Sequence, residues 1–504
     1  LLNLPVSYLQ DTCLSITFSN NHMRVIFIQN LGINESLALT ELSACLKREG
    51  HACSLIIEND VKKTAKAVLS FSPDIFIIPW DIGTLSWTLN TASWLKSRFK
   101  KNIILCGTYP SFYPENAISS PGVDAICIGE TECAIPEYLK KIEKGKDPGD
   151  TRNFWIKTSG GIQRNSLRPL IDNLDILPLP DRNIYFRYPY LRGMSMKRFT
   201  SGRGCANSCR FCYNPLLRKR YSGMGPYVRK KSVSRVISEI KDVREHAALN
   251  SVHFSDDIFI SDRDWIFKFA VAYKEQVNLP FTCNATADLI DEDIVIALKK
   301  ANCRGIAIGI ESGNEDYRKY ILNKDLSDSV IHEAAGLIKK QGLFMATFNM
   351  IALPGETPQD VIKAIRLNAD IGADHVRLSF ASPLPGTELA EYGLKKGFFD
   401  NVRLKKMLDD TIYPKEAVCL SEHKRELENL FILFRFAVMF PGFIPLAKKL
   451  CRLPFIKLLA VPDMLINSYK EKKFFSITWL SGIKYMLKAG GLRKRTKVFN
   501  NFMP

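Results

Sequence analysis

Three cysteines carry the most specific chemical signal in the chain. Cys205, Cys209 and Cys212 lie in Gly202-Arg203-Gly204-Cys205-Ala206-Asn207-Ser208-Cys209-Arg210-Phe211-Cys212-Tyr213-Asn214-Pro215. Glycines, Asn207 and Pro215 make this segment a loop, and the spacing lets three thiolates converge on one metal centre. A structural zinc site asks for a fourth Cys or His nearby, yet the next cysteine is Cys283. Three ligands on a four-iron cluster leave one iron open, and an open position is what substrate chemistry at a metal requires. The competing reading is three incidental buried thiols, the ordinary fate of a free cysteine.

The Cys-x3-Cys-x2-Cys loop resembles the signature of the radical S-adenosylmethionine superfamily. That resemblance implies a [4Fe-4S] cluster on Cys205, Cys209 and Cys212, with S-adenosylmethionine bound to the open iron through its amino and carboxylate groups. One electron from the cluster then cleaves the sulfonium to a deoxyadenosyl radical. Phe211, just before the last cysteine, is expected to lie against the adenine. Asp256 and Asp257, in His253-Phe254-Ser255-Asp256-Asp257, are expected to accept from the methionine ammonium. Glu311 and Ser312, in Gly309-Ile310-Glu311-Ser312-Gly313-Asn314, resemble the ribose-contact segment. Leu353-Pro354-Gly355-Glu356-Thr357 and Pro383-Leu384-Pro385-Gly386-Thr387 follow two later strands. Each piece has a bland reading as a loop cap, an ion pair or a turn. Their coincidence at strand ends favours a site.

The elements that must position these residues are legible as an α/β pattern. Strands are expected at Lys197–Ser201, Ser251–Ser255, Pro280–Ala285, Gly305–Ile310, Leu343–Ile351 and His375–Phe380, with helices between them. One such helix, Pro358 to Ile371, has Thr357 as N-cap, proline at its first position and Asp360 in its first turn. Six strand–helix units fall short of the eight of a closed barrel, so a partial (β/α)6 barrel is expected over 191–400. Before it, Val25–Ile28, Ser54–Ile57, Asp74–Ile78, Asn102–Leu105 and Ala125–Ile128 read as strands of a parallel sheet. They define a Rossmann-like domain over 22–150, with 151–190 as a linker. Residues 401–504 read as a helical, basic C-terminal region.

In the first domain, Cys106-Gly107-Thr108-Tyr109-Pro110-Ser111 and Gly129-Glu130-Thr131-Glu132 resemble the cobalamin-binding domain of class B radical S-adenosylmethionine enzymes. Cys106, Tyr109, Ser111 and Thr131 depart from that pattern, and the cobalt-ligating Asp-x-His-x-x-Gly motif is absent. Binding of this kind falls at strand carboxyl ends. That makes Trp80, Asp81, Thr108, Tyr109, Gly129 and Glu130 the candidate cobalamin contacts. The function implied is cobalamin-dependent methyl transfer to an unactivated carbon or to phosphorus. A non-methylating oxidative cyclase or ring-rearranging enzyme would share every motif, and a cobalamin or iron–sulfur sensor is the rival of another class. The Asp256-Asp257 and Glu311 segments speak against the sensor, which needs no S-adenosylmethionine pocket.

Bulk properties agree with a folded enzyme. The 504 residues are 46% apolar and 24% charged, and thirteen cysteines are too dilute for a disulfide scaffold. Free cysteines in that dilution suit a reducing cytosol, so a cytoplasmic protein is expected, and Leu1 to Ser19 lack the marks of a secretory signal. The net charge of +18 is uneven: residues 421–504 carry 16 Lys/Arg against 5 Asp/Glu. This points to an anionic surface or ligand near the C-terminus and not to nucleic acid binding. Phe431, Phe434, Phe436, Phe440 and Phe443, with Lys448-Lys449 and Arg493-Lys494-Arg495, suit either a helical cap on the barrel or peripheral contact with the inner face of a membrane. The cap is favoured. Expected partners are a small-molecule or lipid substrate and an external electron donor such as flavodoxin or ferredoxin.

Overall fold

The computed structural model describes residues 22–30, 35–58, 60–81, 84–404, 416–454 and 459–475. Uninterrupted apolar runs form the first sheet: β1 (Arg24–Gln29), β2 (Ala52–Ile57), β3 (Ile75–Pro79), β4 (Asn102–Cys106) and β5 (Ala125–Cys127). These strands are parallel, and Val25 to Ile28 are wholly buried because helices cover both faces. These five follow the order β2-β1-β3-β4-β5. The chain reverses its direction of winding between β1 and β3, where doubly wound sheets open a ligand crevice at their carboxyl ends.

The segment 151–190 differs from the expected linker. Its first part forms β6 (Phe154–Thr158) and β7 (Gly161–Arg164), a hairpin that extends the sheet antiparallel from β5. Phe154 and Ile156 turn into the core, and that alternation was masked by the surrounding proline and asparagine. The later part is tied down too: the Tyr188 hydroxyl donates to Leu55 O at 2.8 Å and accepts from Ile57 N at 2.9 Å.

The second sheet begins with β8 (Met196–Phe199). A small hairpin follows, β9 (Gly202–Arg203) with β10 (Arg229–Lys230). Then come β11 (Ser251–Phe254), β12 (Phe281–Ala285), β13 (Cys303–Glu311), β14 (Phe344–Ile351) and β15 (His375–Phe380). The six strands β8 and β11–β15 are parallel, in the order β15-β14-β13-β12-β11-β8, a half-barrel. Along β13, Ile306, Ile308 and Ile310 face the outer helices, while Ala307 faces the lumen beside Phe474. Helix Pro358–Asp370 opens with a capping box between Thr357 and Asp360.

The C-terminal helices act as a cap. Helix Lys424–Met439 packs on helix Pro358–Asp370 through Leu427, Leu430 and Phe434, and Phe431 stacks on Phe380 at 4.3 Å. Helix Ala460–Phe474 carries Phe474, wholly buried, into the half-barrel. Glu471 on that helix pairs with Arg377 at 3.1 Å, and Asp463 with Arg435 at 2.7 Å. Phe431 and Phe434 therefore point inward, whereas Phe436 and Phe440 remain exposed. The Arg493-Lys494-Arg495 cluster lies outside the described residues. No described helix is long and apolar enough to cross a membrane.

Candidate functional site

The cysteine loop leaves the half-barrel after β9, at the carboxyl end of β8. Gly204 makes that exit possible: its φ is +87°, and a Cβ there would stand 2.3 Å from Tyr227 O. Arg218, on helix Asn214–Arg220, reaches back across the loop. It donates to the carbonyls of Cys205 and Asn207, each at 3.3 Å, and to that of Ala206, and to Ser208 Oγ at 2.7 Å. Asn323 Nδ2 donates to Ser208 O, and Arg210 N to Leu322 O, both at 2.9 Å. One helix and the segment after β13 thus hold the loop from two sides. Neither Arg218 nor Asn323 stands out in the sequence, since their acceptors are backbone carbonyls that any residue supplies.

Cys205 and Cys209 are buried and Cys212 is half-buried; all three are free thiols. Burial pushes the Cys209 thiol up to about 11, with the nearby Lys324 opposing the shift. Burial likewise raises Cys205 and Cys212, against N–H donation from Asn207 and Asn214, each at 3.4 Å from sulfur. Iron binding requires the thiolates, so the metal's charge must overcome this burial. Among the described residues, only His22, His51 and Glu143 bring three such ligand atoms within 4.8 Å of one another. The three sulfurs are therefore not all within 4.8 Å of one another, whereas tetrahedral zinc–sulfur bonds would hold each pair roughly 3.8 Å apart. An all-thiol donor set at that wider spacing fits a multi-iron cluster.

The other expected residues divide in two. Asp256 is buried and already engaged: it accepts from Ser201 N at 2.9 Å and Ser201 Oγ at 2.6 Å, and lies 3.6 Å from Lys230 Nζ. Asp257 is exposed and accepts from Asn214 Nδ2 at 3.1 Å. Desolvation raises its carboxyl above the ordinary range, with Asn214 opposing. Phe211 packs with Leu322, Leu353 and Leu389 at the mouth of the half-barrel. Glu311 pairs with Lys324 at 3.1 Å and has φ +70°, and Ala352, at the end of β14, has φ +61°. Non-glycine residues in this region are strained, and such strain gathers at functional sites. Ser312, by contrast, is wholly buried and serves the local turn, accepting from Asn314 N at 3.3 Å.

The first sheet meets this loop directly. Tyr213, next to Cys212, stacks on Phe112 at 3.7 Å, and its hydroxyl lies 3.1 Å from that of Tyr113. Tyr113 also donates to Pro385 O. Trp80 stacks on Tyr109 at 4.0 Å, and its buried indole N–H has no partner among the described residues. Asp81 accepts from Thr108 Oγ1 at 3.4 Å, and desolvation raises its carboxyl.

Gly129 and Glu130 face elsewhere than expected. Gly129 lies against the Tyr221 hydroxyl, where a Cβ would have no room. Glu130 accepts from Arg203 at 2.7 Å, from Arg229 at 2.9 Å and from Ile171 N at 2.8 Å. Arg203 also binds Glu41 and Glu132, each at 2.5 Å, and Lys231 joins Glu41 to Glu239. Burial alone would raise Glu41, but Arg203 and Lys231 outweigh it and bring its carboxyl to about 2. Glu132 goes the other way, raised by burial despite Arg203. This buried network joins the first sheet to the strand that launches the cysteine loop. It was missed in the sequence because Glu41, Glu130, Arg203 and Lys231 are far apart in the chain.

A half-barrel with a three-cysteine loop at its carboxyl end, strained strand ends beside it and a doubly wound sheet against it defines an iron–sulfur radical enzyme. Residues 199–367 match the family described as the Radical SAM superfamily, and this part of the chain is a radical SAM domain, which implies a [4Fe-4S] cluster and S-adenosylmethionine. An uncharacterized methyltransferase of Pyrococcus horikoshii is 26% identical over 70% of this chain and 77% of its own length. Cytidylyl-2-hydroxyethylphosphonate methyltransferase of Streptomyces wedmorensis is 22% identical over 58% of this chain and 61% of its own. Among solved structures, the cobalamin-dependent S-adenosylmethionine radical enzyme OxsB, with aqua-cobalamin and S-adenosylmethionine bound, superposes with a TM-score of 0.67. That match has 16% identity over 94% of this chain and 75% of that one. The two-sheet architecture is therefore shared with a cobalamin-dependent radical enzyme.

Proposed function

We propose that this enzyme transfers a methyl group from cobalamin to an unactivated carbon or to phosphorus of a small-molecule or lipid substrate. The observation that carries the reading is the contact of Phe112 and Tyr113 with Tyr213, which sets the crevice of the first sheet against the loop of Cys205, Cys209 and Cys212. The methyltransferase names of the two sequence relatives and the cobalamin held by OxsB support it. Cobalamin would supply a transferable methyl group, and the cluster with S-adenosylmethionine the radical that activates the substrate.

The chain's own residues have the following roles. Cys205, Cys209 and Cys212 hold the cluster, with Arg218 and Asn323 keeping their loop in shape. Asp257 remains open to the methionine ammonium, because Asp256 is spent on Ser201 and Lys230. Glu311 and Lys324 line the same mouth, and Phe211 supports the adenine. Trp80, Asp81, Thr108 and Tyr109 would hold the corrin, Trp80 with an indole N–H that has no partner among the described residues. Glu130 positions Arg203 instead of touching cofactor. The aromatic layer excludes water between the two cofactors.

The test is anaerobic incubation of reconstituted enzyme with hydroxocobalamin, a reductant and methyl-labelled S-adenosylmethionine, in the presence of small-molecule and lipid extracts. Label in a new product, dependent on cobalamin, is expected. Deoxyadenosine formation with no corrin retained, and no label transferred, would favour the cyclase or rearrangement reading.

A further inference from the structure

We propose that His22, His51 and Glu143 form a divalent transition-metal site of zinc type at the amino edge of the first sheet. The three residues come from separate elements. His22 precedes β1, His51 precedes β2, and Glu143 ends helix Ala134–Glu143. The parallel register, with Arg24 opposite Ala52, brings the two histidines to neighbouring strand starts. Glu143 Oε1 lies 3.1 Å from His51 Nδ1 and 3.7 Å from His22 Nδ1, and the three ligand atoms are all within 4.8 Å of one another. Bonds of about 2.0–2.2 Å to a tetrahedral zinc place nitrogen and oxygen ligands about 3.3–3.5 Å apart. An ion enters with small shifts.

The surroundings suit a cation. His51 is 3% exposed. The His22 ring is seated over Gly50, where φ is +92° and a Cβ would stand 2.7 Å from His22 Cε1. Met23 N donates to Glu143 Oε1 at 3.1 Å and to His51 Nδ1 at 3.3 Å, so an ion bound there takes the place of this N–H at the histidine nitrogen. Helices Leu37–Arg48 and Ala134–Glu143 both end here, and the negative ends of helices favour a cation. The lysines of the second helix's last turn are taken up elsewhere, Lys140 by Glu49 and Lys141 by Glu137 and Asp150.

Two histidines and one carboxylate leave a fourth position, and the 37% exposure of the His22 side chain opens it to water. The site cross-links β1, β2 and a covering helix. It lies at the opposite edge of the sheet from the crevice, so its occupancy is separable from radical chemistry.

The test uses full-length enzyme reconstituted without air, so that iron occupies the cysteine loop. The protein is equilibrated with ZnCl2, desalted, and analysed for zinc and iron. About one zinc per chain is expected to remain, with a raised Tm. His22→Ala and Glu143→Gln should lose both effects while keeping iron content and deoxyadenosine formation. Substitution with Co2+ should give a nitrogen- and oxygen-ligated spectrum without thiolate charge-transfer bands. No zinc retained by the parent enzyme, equal retention by both variants, or a thiolate signature for cobalt would each overturn the proposal.

Discussion

The ring of Tyr213 lies 3.7 Å from that of Phe112, with the two planes 15° apart. One belongs to the cysteine loop and the other to the carboxyl end of the first sheet, so the two halves of the site meet face to face. Stacked pairs of this kind contribute about 0.5–1.5 kcal/mol beyond area burial. The stronger bond between the halves is the buried charge network around Arg203.

Replacing Arg203 by Met should be the most damaging single change at this junction. It leaves Glu132 buried without its cation and Glu41 with Lys231 alone, and removing one partner of a buried pair costs about 3–5 kcal/mol. Glu132→Gln should be milder, because burial already raises that carboxyl. Denaturant unfolding of the two variants checks the order, and a smaller loss for Arg203→Met than for Glu132→Gln would refute it.

Single replacement of Cys205, Cys209 or Cys212 by Ala should abolish the cluster and deoxyadenosine formation. Cys283→Ala and Cys303→Ala, in strands β12 and β13 behind the site, should keep the full iron content of about four per chain. Iron analysis after anaerobic reconstitution separates the two groups. Full iron in the triple variant would refute the ligand assignment.

Arg218→Gln removes a guanidinium that donates to three loop carbonyls and Ser208 Oγ. The cluster should still assemble but be lost several-fold faster in air, since the loop no longer excludes oxygen. Arg218→Lys should recover only part of the protection, because an ammonium lacks the planar fork. Bleaching of the cluster's visible absorption under air gives the rates, and equal rates in all three proteins would dismiss the clamp.

Glu356 gives stability a pH dependence. Its carboxyl is buried beneath the loop after β14, and burial raises it to about 8, against N–H donation from Leu353 and Ala352. The folded state therefore holds a proton that the unfolded chain releases above pH 4.5. This contribution is complete below pH 4.5, declines between pH 4.5 and 8, and levels off above that. The slope for one proton is about 1.4 kcal/mol per pH unit. Glu356→Gln should lose this part of the slope, a difference readable by denaturant unfolding at pH 5, 6.5 and 8.

Phe474→Ala should destabilise the whole half-barrel by about 3–5 kcal/mol, the usual loss for a buried aromatic. That outcome, with negligible sedimentation on anionic vesicles, belongs to a C-terminal region acting as a cap. Salt-sensitive sedimentation that depends on Phe436 and Phe440, two exposed aromatic residues of that region, would restore a membrane contact.

The sequence alone determined the chemistry and the repeating scaffold. Three cysteines at close spacing report a metal loop because ligand type and separation are local properties. Runs such as Val25–Ile28 and Gly305–Ile310 report parallel strands because burial on both faces leaves a continuous apolar stretch. The hairpin Phe154–Arg164 escaped that reading, its short strands lying among residues typical of turns. Only the tertiary structure decided which acids are free. Asp256 and Asp257 are adjacent and chemically equal, yet one is consumed by Ser201 and Lys230 while the other stays open. Glu130 looked like a cofactor contact until the fold placed Arg203 and Arg229 against it. Pairings of this kind join residues tens to more than a hundred positions apart, and long-range contact leaves no local pattern to read.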